Sequence, residues 1–597
     1  MITKRIDRML VAAAALICAW SLEAHAAEEV LPSGGEKGQL EEQIDAYVEK
    51  HQDTTAGMAV AVFDNDDTFL QKYYGHVDVE DQIAVAPDSV FEWGSTTKLL
   101  VWVSVMQLYE QGKLELDADI ANYLPEDFLS NLSYDIPVTM LNLMNHNAGF
   151  QEGYVDLMVT DADYIGSLEE ALQKHKPAQI YKPGTVTAYS NWGVALAGLI
   201  VERVSGMPFS EYAHENIFAP LQMDHCAVFM DLSDNEWVRQ KRKELQCYTT
   251  TGKLIPDCFY NITLYPAGMC TSTLDDFERF AAALLREDRA LLKHAETWAE
   301  LFSPSAYFGE TDIPLNCHGF WMIPFGVQTV GHGGNTAGCS SYLLLDREDQ
   351  IGVVVMTNQS GEKIYNMDMM ELIFGEYKRP AYTQDNEIPA GGFRTARTVR
   401  RGPFKIMSLS YGNVDGDEDE LWIFDDSGEQ AKIVYSYGDH IQTSLPLFIM
   451  EVGLAFLWIA AFGFSAVSLL VRGAIHLIRR CRKCGRLSEK IRDTKKLGLW
   501  SSTAAVLQLT ALSLLILIMN RVSALALGDT YIWMFAAIGV LAIVMAVLCV
   551  YGLVHNNKTD RQCLKKRQSI FNNLTAFFLL VAVANVLYWN LFMFWEV

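Results

Sequence analysis

Positive charge is scarce in the first 444 residues of this 597-residue chain, where 31 Lys and Arg face 67 Asp and Glu. So acidic a segment excludes nucleic acid and other anionic polymers as partners held by general electrostatics. A neutral or cationic small molecule or peptide suits it better. Internal repeats are absent, and apolar runs long enough to cross a bilayer are missing between the N-terminal segment and residue 445. Metal-ligand spacing is also poor. The CxxC at Cys481 and Cys484 has no second ligand pair, so neither metal nor cofactor is expected. Six cysteines lie between residues 27 and 444, at 226, 247, 258, 270, 317 and 339. An even number permits disulfides, but spacing does not separate disulfides from buried thiols.

The apolar residues that are present are concentrated at the two ends of the chain. Met1–Arg8 is basic, MLVAAAALICAW is a short apolar stretch, and Ala24–Ala26 supplies small residues at −3 and −1. This pattern predicts a secretory signal at 1–26, cut after Ala26, with an uncleaved anchor as the alternative. After residue 445 come Leu447–Val471, Leu497–Met519, Tyr531–Val554 and Leu574–Trp595. Each is long enough to cross about 30 Å of hydrocarbon as a helix. The connections RGAIHLIRRCRKCGRLSEKIRDTKK and HNNKTDRQCLKKRQSIFNN are basic, whereas NRVSALALGDT carries one basic residue. Basic connections face the cytoplasm, which predicts a multi-pass protein whose first 445 residues lie outside the cell membrane. Glu451, Asn585 and Asn590 are polar residues in or beside these spans, and contacts between helices are their ordinary role.

Within the outer part, helical spacing at Leu40, Ile44, Tyr47 and Val48 predicts a helix over 38–50. MAVAVFDN and TFLQKYYG alternate as a hairpin, and CSSYLLL and IGVVVM, flanking DREDQ, read as another. A helix with a Val101, Val105, Leu108 stripe follows Ser95, residues 120–300 read as mainly helical, and a further helical stretch runs from Glu362 to Tyr377. Strands at both ends with helices between them predict one α+β domain, over 27–387, whose ends share a sheet. Residues 388–444 carry RTARTVRRG and the acidic DGDEDELWIFDD and read as a small β-rich or linker segment.

FEWGSTTKLLVW sets Ser95 and Lys98 on one face of a helix start, within reach of each other. The helix N-terminus favours developing negative charge, and a lysine against an apolar wall loses its proton readily. SxxK alone is weak, since a chain this long contains roughly one or two by chance. An N-cap serine and a solvated lysine are the bland alternative. YKPGTVTAYSNWG adds Tyr189-Ser190-Asn191 ahead of the helical GVALAGLIVERVSG, and TVGHGGNTAGCSSYLLLD adds His332-Gly333-Gly334 leading into a strand. Glycines there let a substrate backbone lie against a strand edge.

In that order, SxxK, YSN and HGG resemble the serine β-lactamase and penicillin-binding-protein superfamily, on its class C β-lactamase, D-peptidase and esterase side. FEWGSTTKLL, MQLYEQGKLELD, LNLMNHNAGF, YSNWGVALAGLIVERVSGMPFSEY, IFAPLQM, AGMCTSTLDDFERFAAALL and GHGGNTAGCSSYLLLDREDQIGVVVMTN carry the likeness from about Leu40 to Gly375. The resemblance implies a β-lactamase-like domain, an antiparallel sheet with a helical subdomain, ahead of the four-helix membrane region. It implies Ser95 as the acylated nucleophile, with Lys98 and Tyr189 sharing the base role and the tyrosine deprotonated by cationic neighbours. Asn191 would hold the acyl-side amide of the substrate. Gly333 and Gly334 would lie along it, and the backbone N–H groups of Ser95 and Asn335 would form the oxyanion hole. His332, in place of the lysine of the KTG pattern, would polarise Tyr189 and pass a proton toward the leaving group. Gly333 stands where relatives that bind a free carboxylate commonly offer threonine. The implied substrate is therefore an amide, D-peptide or ester rather than a penicillin, and His-Gly-Gly is similar to the pattern of D-aminopeptidases.

These features predict a membrane-tethered extracytoplasmic serine hydrolase working through an acyl-enzyme. A reading of another class is a sensor that keeps the fold and signals occupancy through the spans. A receptor has no need of the tyrosine and lysine pair, so the complete polar set at Ser95, Lys98, Tyr189 and His332 favours the enzyme.

Overall fold

The computed structural model describes residues 30–152, 158–159, 166–256, 258–378, 392–397, 403, 405–406, 423–425, 431–434, 437–481, 492–523, 529–558 and 566–594. The predicted signal, Cys484 of the CxxC and most of the acidic 415–426 stretch lie outside them.

Helix α1 (Leu40–Lys50) buries Leu40, Ile44 and Val48, the stripe that its spacing predicts. Strand β1 (Gly57–Asp64) then shows why the sheet becomes central. Met58, Val60 and Val62 enter one apolar cluster together with Leu40 and Ile44. Ala59, Ala61 and Phe63 enter another with Leu99, Trp102 and Phe280. The period of two points alternate residues to opposite faces, and both faces are covered. β2 (Thr68–Asp78) completes the first hairpin, and β3 (Ile83–Ala84) pairs beyond it.

The later strands are β4 (Ala306–Tyr307), β5 (Pro314–Cys317), β6 (Phe320–Pro324), β7 (Gln328–Asn335), β8 (Ser340–Asp346) and β9 (Ile351–Thr357). The sheet order is β4-β5-β6-β7-β8-β9-β1-β2-β3, antiparallel throughout. The chain-end strands therefore meet at β9–β1, with Val60 opposite Val355. The Glu362–Tyr377 stretch is less helical than expected, with a 3₁₀ turn at Asp368–Met370 and one α turn at Glu371–Phe374. Gly375, at φ +82°, stops that turn.

Helix α2 (Lys98–Glu110) is buried on every side from Lys98 to Leu108, where one apolar stripe was expected. It packs against α3 (Asn191–Ser205), and α4 (Leu274–Leu285) lies across β1 and β9. The six cysteines from Cys226 to Cys339 are buried free thiols, the second of the two alternatives.

Residues after 391 add a four-stranded antiparallel sheet of β10 (Gly392–Thr395), β11 (Ile423–Asp425), β12 (Lys432–Val434) and β13 (His440–Thr443), in the order β10-β13-β12-β11. Only Ser444 separates β13 from α5 (Leu445–Cys481). With α6 (Arg492–Ser523), α7 (Asp529–Lys558) and α8 (Lys566–Tyr588), this helix builds a bundle around Trp458, Trp500, Phe535, Leu579 and Trp589. All four helices are long and apolar enough to cross a membrane. Asn585 donates to the Leu454 carbonyl at 3.2 Å, a contact between helices. Glu451 accepts from Tyr588 of α8 and also pairs with Arg394 of β10.

Candidate active site

Ser95 lies in the 3₁₀ turn Gly94–Thr97, and Lys98 is the first residue of α2. Three positions along one helical start place Lys98 Nζ 2.9 Å from Ser95 Oγ and 2.5 Å from the Ala267 carbonyl oxygen. The lysine side chain is fully buried. Burial, with a smaller push from Arg397, drives its pKa well below 10.5, while Glu152 opposes the shift. A neutral amine there donates one N–H to Ala267 and keeps a lone pair for the serine proton.

Two close approaches hold β7 against the nucleophile turn. Gly94 has φ +54°, and a Cβ there would meet the Asn335 nitrogen at 2.7 Å. A Cβ on Gly334 would meet the Trp93 carbonyl oxygen at 1.8 Å. Only glycine fits either position. Thr96 Oγ1 donates to the His332 carbonyl at 3.2 Å, and Ser341 Oγ donates to the Trp93 carbonyl at 2.7 Å. The backbones of Gly94, next to Ser95, and Asn335 are thereby brought together. The β6–β7 pairing ends at Trp321 opposite Gly331, so residues 332–335 form ladder pairs with β8 alone among the described strands. His332, Gly333 and Gly334 are within β7 rather than ahead of it.

The space for a side chain at Gly333 is occupied. Tyr342, its partner on β8, would stand 2.4 Å from an added Cβ. A hydroxyl side chain at this position has no room unless the ring moves.

Tyr189 lies beside the pair, its ring centre 5.0 Å from Lys98 Nζ and its hydroxyl hydrogen-bonded to Ser95. Burial raises its pKa more than the Ser95 hydrogen bond and Arg397 lower it. Burial thus favours the protonated tyrosine over the expected tyrosinate, and the group whose pKa is depressed is Lys98. His332 is buried, and desolvation, with a smaller push from Lys98 in its protonated form, lowers its pKa to about 3. Its Nδ1 lies 2.6 Å from the Gly333 carbonyl, which can only accept, so Nδ1 carries the hydrogen. Nε2, with no protein partner among the described residues, is then an acceptor. In this arrangement the imidazole cannot pass its one proton to a leaving group without breaking the Gly333 bond. Asn191, buried, opens α3 directly after Ser190, whose hydroxyl caps the helix by accepting from the Gly193 N–H at 3.0 Å.

Several residues of this site carried no assigned role in the sequence analysis. His146, at φ +53°, lies 4.3 Å from the Tyr189 ring, tilted by 36°, and stacks on Trp321 at 5.8 Å. Its Nδ1 accepts from the Ser190 N–H at 3.3 Å, and burial holds its pKa well below 6.5. Arg397 lies 4.9 Å over the Tyr189 ring and donates to Glu152 at 2.8 Å. Tyr437 meets Trp321 edge-on at 5.0 Å. The run of arginines in RTARTVRRG, set in an acidic chain, was the one available signal for Arg397.

The Beta-lactamase family model matches residues 41–370. Protein flp of Staphylococcus aureus (strain N315) is 22% identical over 334 residues, covering 54% of this chain and 64% of flp. A beta-lactamase of Yersinia enterocolitica is 25% identical over 338 residues, covering 51% of this chain and 82% of that protein. Among solved structures, the D-amino acid amidase of Ochrobactrum anthropi SV3 aligns with a TM-score of 0.47 and 22% identity, covering 56% of this chain and 97% of its own. EstCE1, a hydrolase with promiscuous acyltransferase activity, aligns at 0.48 and 18%, covering 57% and 99%. Since the family model spans more than half of the sequence and includes Ser95, Lys98, Tyr189 and His332, this chain belongs to the beta-lactamase family.

Proposed function

We propose that the protein is a membrane-tethered serine hydrolase, facing outward, that forms an acyl-enzyme on Ser95 with an amide, D-peptide or ester substrate. The observation that carries this reading is a fully buried lysine amine 2.9 Å from a serine hydroxyl at a helix start. Neutral Lys98 takes the Ser95 proton as Oγ attacks the substrate carbonyl. The N–H groups of Ser95 and Asn335 receive the oxyanion, charge that exists only in the transition state. Asn191 and the 332–335 edge hold the acyl side of the substrate. Protonated Tyr189 hands its proton to the leaving group and is refilled from Lys98. Water then repeats the sequence to release the acid. Tyr342, filling the space at Gly333, supports a substrate without a free carboxylate at that subsite. The basic connections after the first and third spans support the outward orientation.

The test is intact mass of the full-length chain in detergent after fluorophosphonate treatment, with Ser95→Ala alongside. The expected result is one adduct that the variant lacks. A folded wild-type chain with no adduct overturns the proposal. A protein acylated by candidate substrates but never turning over would instead match the sensor reading, which the polar contacts between β10 and the bundle also suit.

A further inference from the structure

The β10–β13 sheet touches the active site on one side and the bundle on the other. On β10, Arg394 pairs with buried Glu451 of α5, and Glu451 accepts from Tyr588 of α8. Lys405 Nζ donates to the Tyr588 carbonyl at 2.8 Å and lies 4.2 Å over its ring. Three residues past Arg394, Arg397 covers the Tyr189 ring and holds Glu152, whose side chain is 1% exposed. Three residues of extended chain span at most about 11 Å. A second attachment runs beside the first: Ala188 bridges to Gly438, Thr187 N–H donates to Asp439 at 3.0 Å, and Asp439 N–H donates back to Thr187 at 2.8 Å. Asp439 is itself held by Lys432 at 2.8 Å. The residues leading into Tyr189 are thus clamped by a sheet that continues, through Ser444, into α5.

We infer that Arg397 is a positioning residue for Tyr189 and that the membrane bundle sets its place through the Arg394–Glu451 pair, so that the spans support acylation as well as anchoring the chain. This inference rests on the hydrolase reading above. Tyr189 would be held from above by the guanidinium and from behind by its clamped backbone, its hydroxyl aimed at Ser95. A shift of the bundle moves Glu451, then β10, then Arg397.

The experiment measures the rate of fluorophosphonate labelling against pH for the full-length chain in detergent. The groups facing Lys98 are Ser95, the Ala267 carbonyl, Tyr189, His146, His332, Arg397 and Glu152. Arg397→Met removes a cation near Lys98 and takes the Arg397 contact away from Glu152, and both changes favour the protonated amine. Labelling at neutral pH should slow by about tenfold to a hundredfold, as a misplaced catalytic group does. The acid limb of the profile should move to higher pH, and Arg397→Lys should restore much of both. Single loss of Arg394 or Glu451 breaks a buried pair from one side, so the variant of choice is the double Arg394→Met, Glu451→Leu, since apolar replacement of a buried pair commonly keeps a fold intact. It should unfold at or near the wild-type temperature yet label roughly 2- to 30-fold more slowly. Wild-type rate and midpoint in either Arg397→Met or the folded double variant overturn the inference. An unlabelled wild type overturns the hydrolase reading itself.

Discussion

Gly334→Ala tests how closely strand and nucleophile are fitted. The new methyl would stand 1.8 Å from the Trp93 carbonyl oxygen, 2.7 Å from Ser341 Oγ and 3.0 Å from Thr96 Oγ1. Real Cβ contacts essentially never fall under 3.0 Å, so backbone has to separate from backbone by at least about 1.2 Å. The hydroxyls could rotate away, but the carbonyl precedes Gly94 and moves only with the turn that carries Ser95. Overpacking of this kind costs about 1–3 kcal/mol of stability, which a domain with a core this large survives. Catalysis is less tolerant, because a displacement of about 1 Å in a reacting group costs on the order of a hundredfold. Labelling of full-length Gly334→Ala by fluorophosphonate should therefore fall about a hundredfold while its melting temperature drops by a few degrees. Gly333→Ala serves as the contrast. It meets the Tyr342 ring edge rather than backbone, so stability should suffer as much and the labelling rate less. A Gly334→Ala protein labelled at the wild-type rate would falsify the placement of β7 against the nucleophile turn.

Three further outcomes follow from the same geometry. Lys98→Met removes the base and a buried amine together, so labelling should drop by about a hundredfold to ten-thousandfold with no loss of thermal stability; undiminished labelling would exclude the lysine as base. His332 has its folded pKa lowered from 6.5 to about 3, so the unfolded chain binds more protons between those values. The stability it contributes is complete above pH 6.5 and is lost as pH falls toward 3, a change on the order of a few kcal/mol that thermal melts of His332→Phe should lack. The six thiols from Cys226 to Cys339 are buried, so mapping of alkylated peptides should find them unmodified in the native chain and all modified in guanidinium.

The parts of this protein that were legible in its sequence are those whose determinants sit close together. Alternation in MAVAVFDN and TFLQKYYG, and the apolar runs flanking DREDQ, set two hairpins, because strand pattern and turn are local properties. Ser95 and Lys98 share a face by spacing alone. The parts that were not legible depend on distant partners or on burial. Arg397 and Glu152 are 245 residues apart and meet only because β10 returns to the active site. His146 occupies a left-handed position at the end of a short helix, where no periodicity points to it. The charge state of Tyr189 followed from burial outweighing its cationic neighbour, and a sequence shows the neighbour's type but not the burial. The Glu362–Tyr377 stretch misled because Tyr365, Met369, Met370, Ile373 and Phe374 are buried through short turns rather than one helical face.

The direct passage from β13 through Ser444 into α5 also fixes an altitude. Gly438 is seven residues before Leu445 and bridges to Ala188, the residue beside Tyr189. Extended chain over that path, plus the step across the bridge, reaches at most about 30 Å. Under the proposed function, Ser95 would work in a thin layer of solvent adjoining the lipid headgroups, where molecules confined to that layer would meet it far more often than those in the bulk. Lengthening the chain at Ser444 would lift the site out of this layer and change which molecules it encounters, with every catalytic atom left where it is.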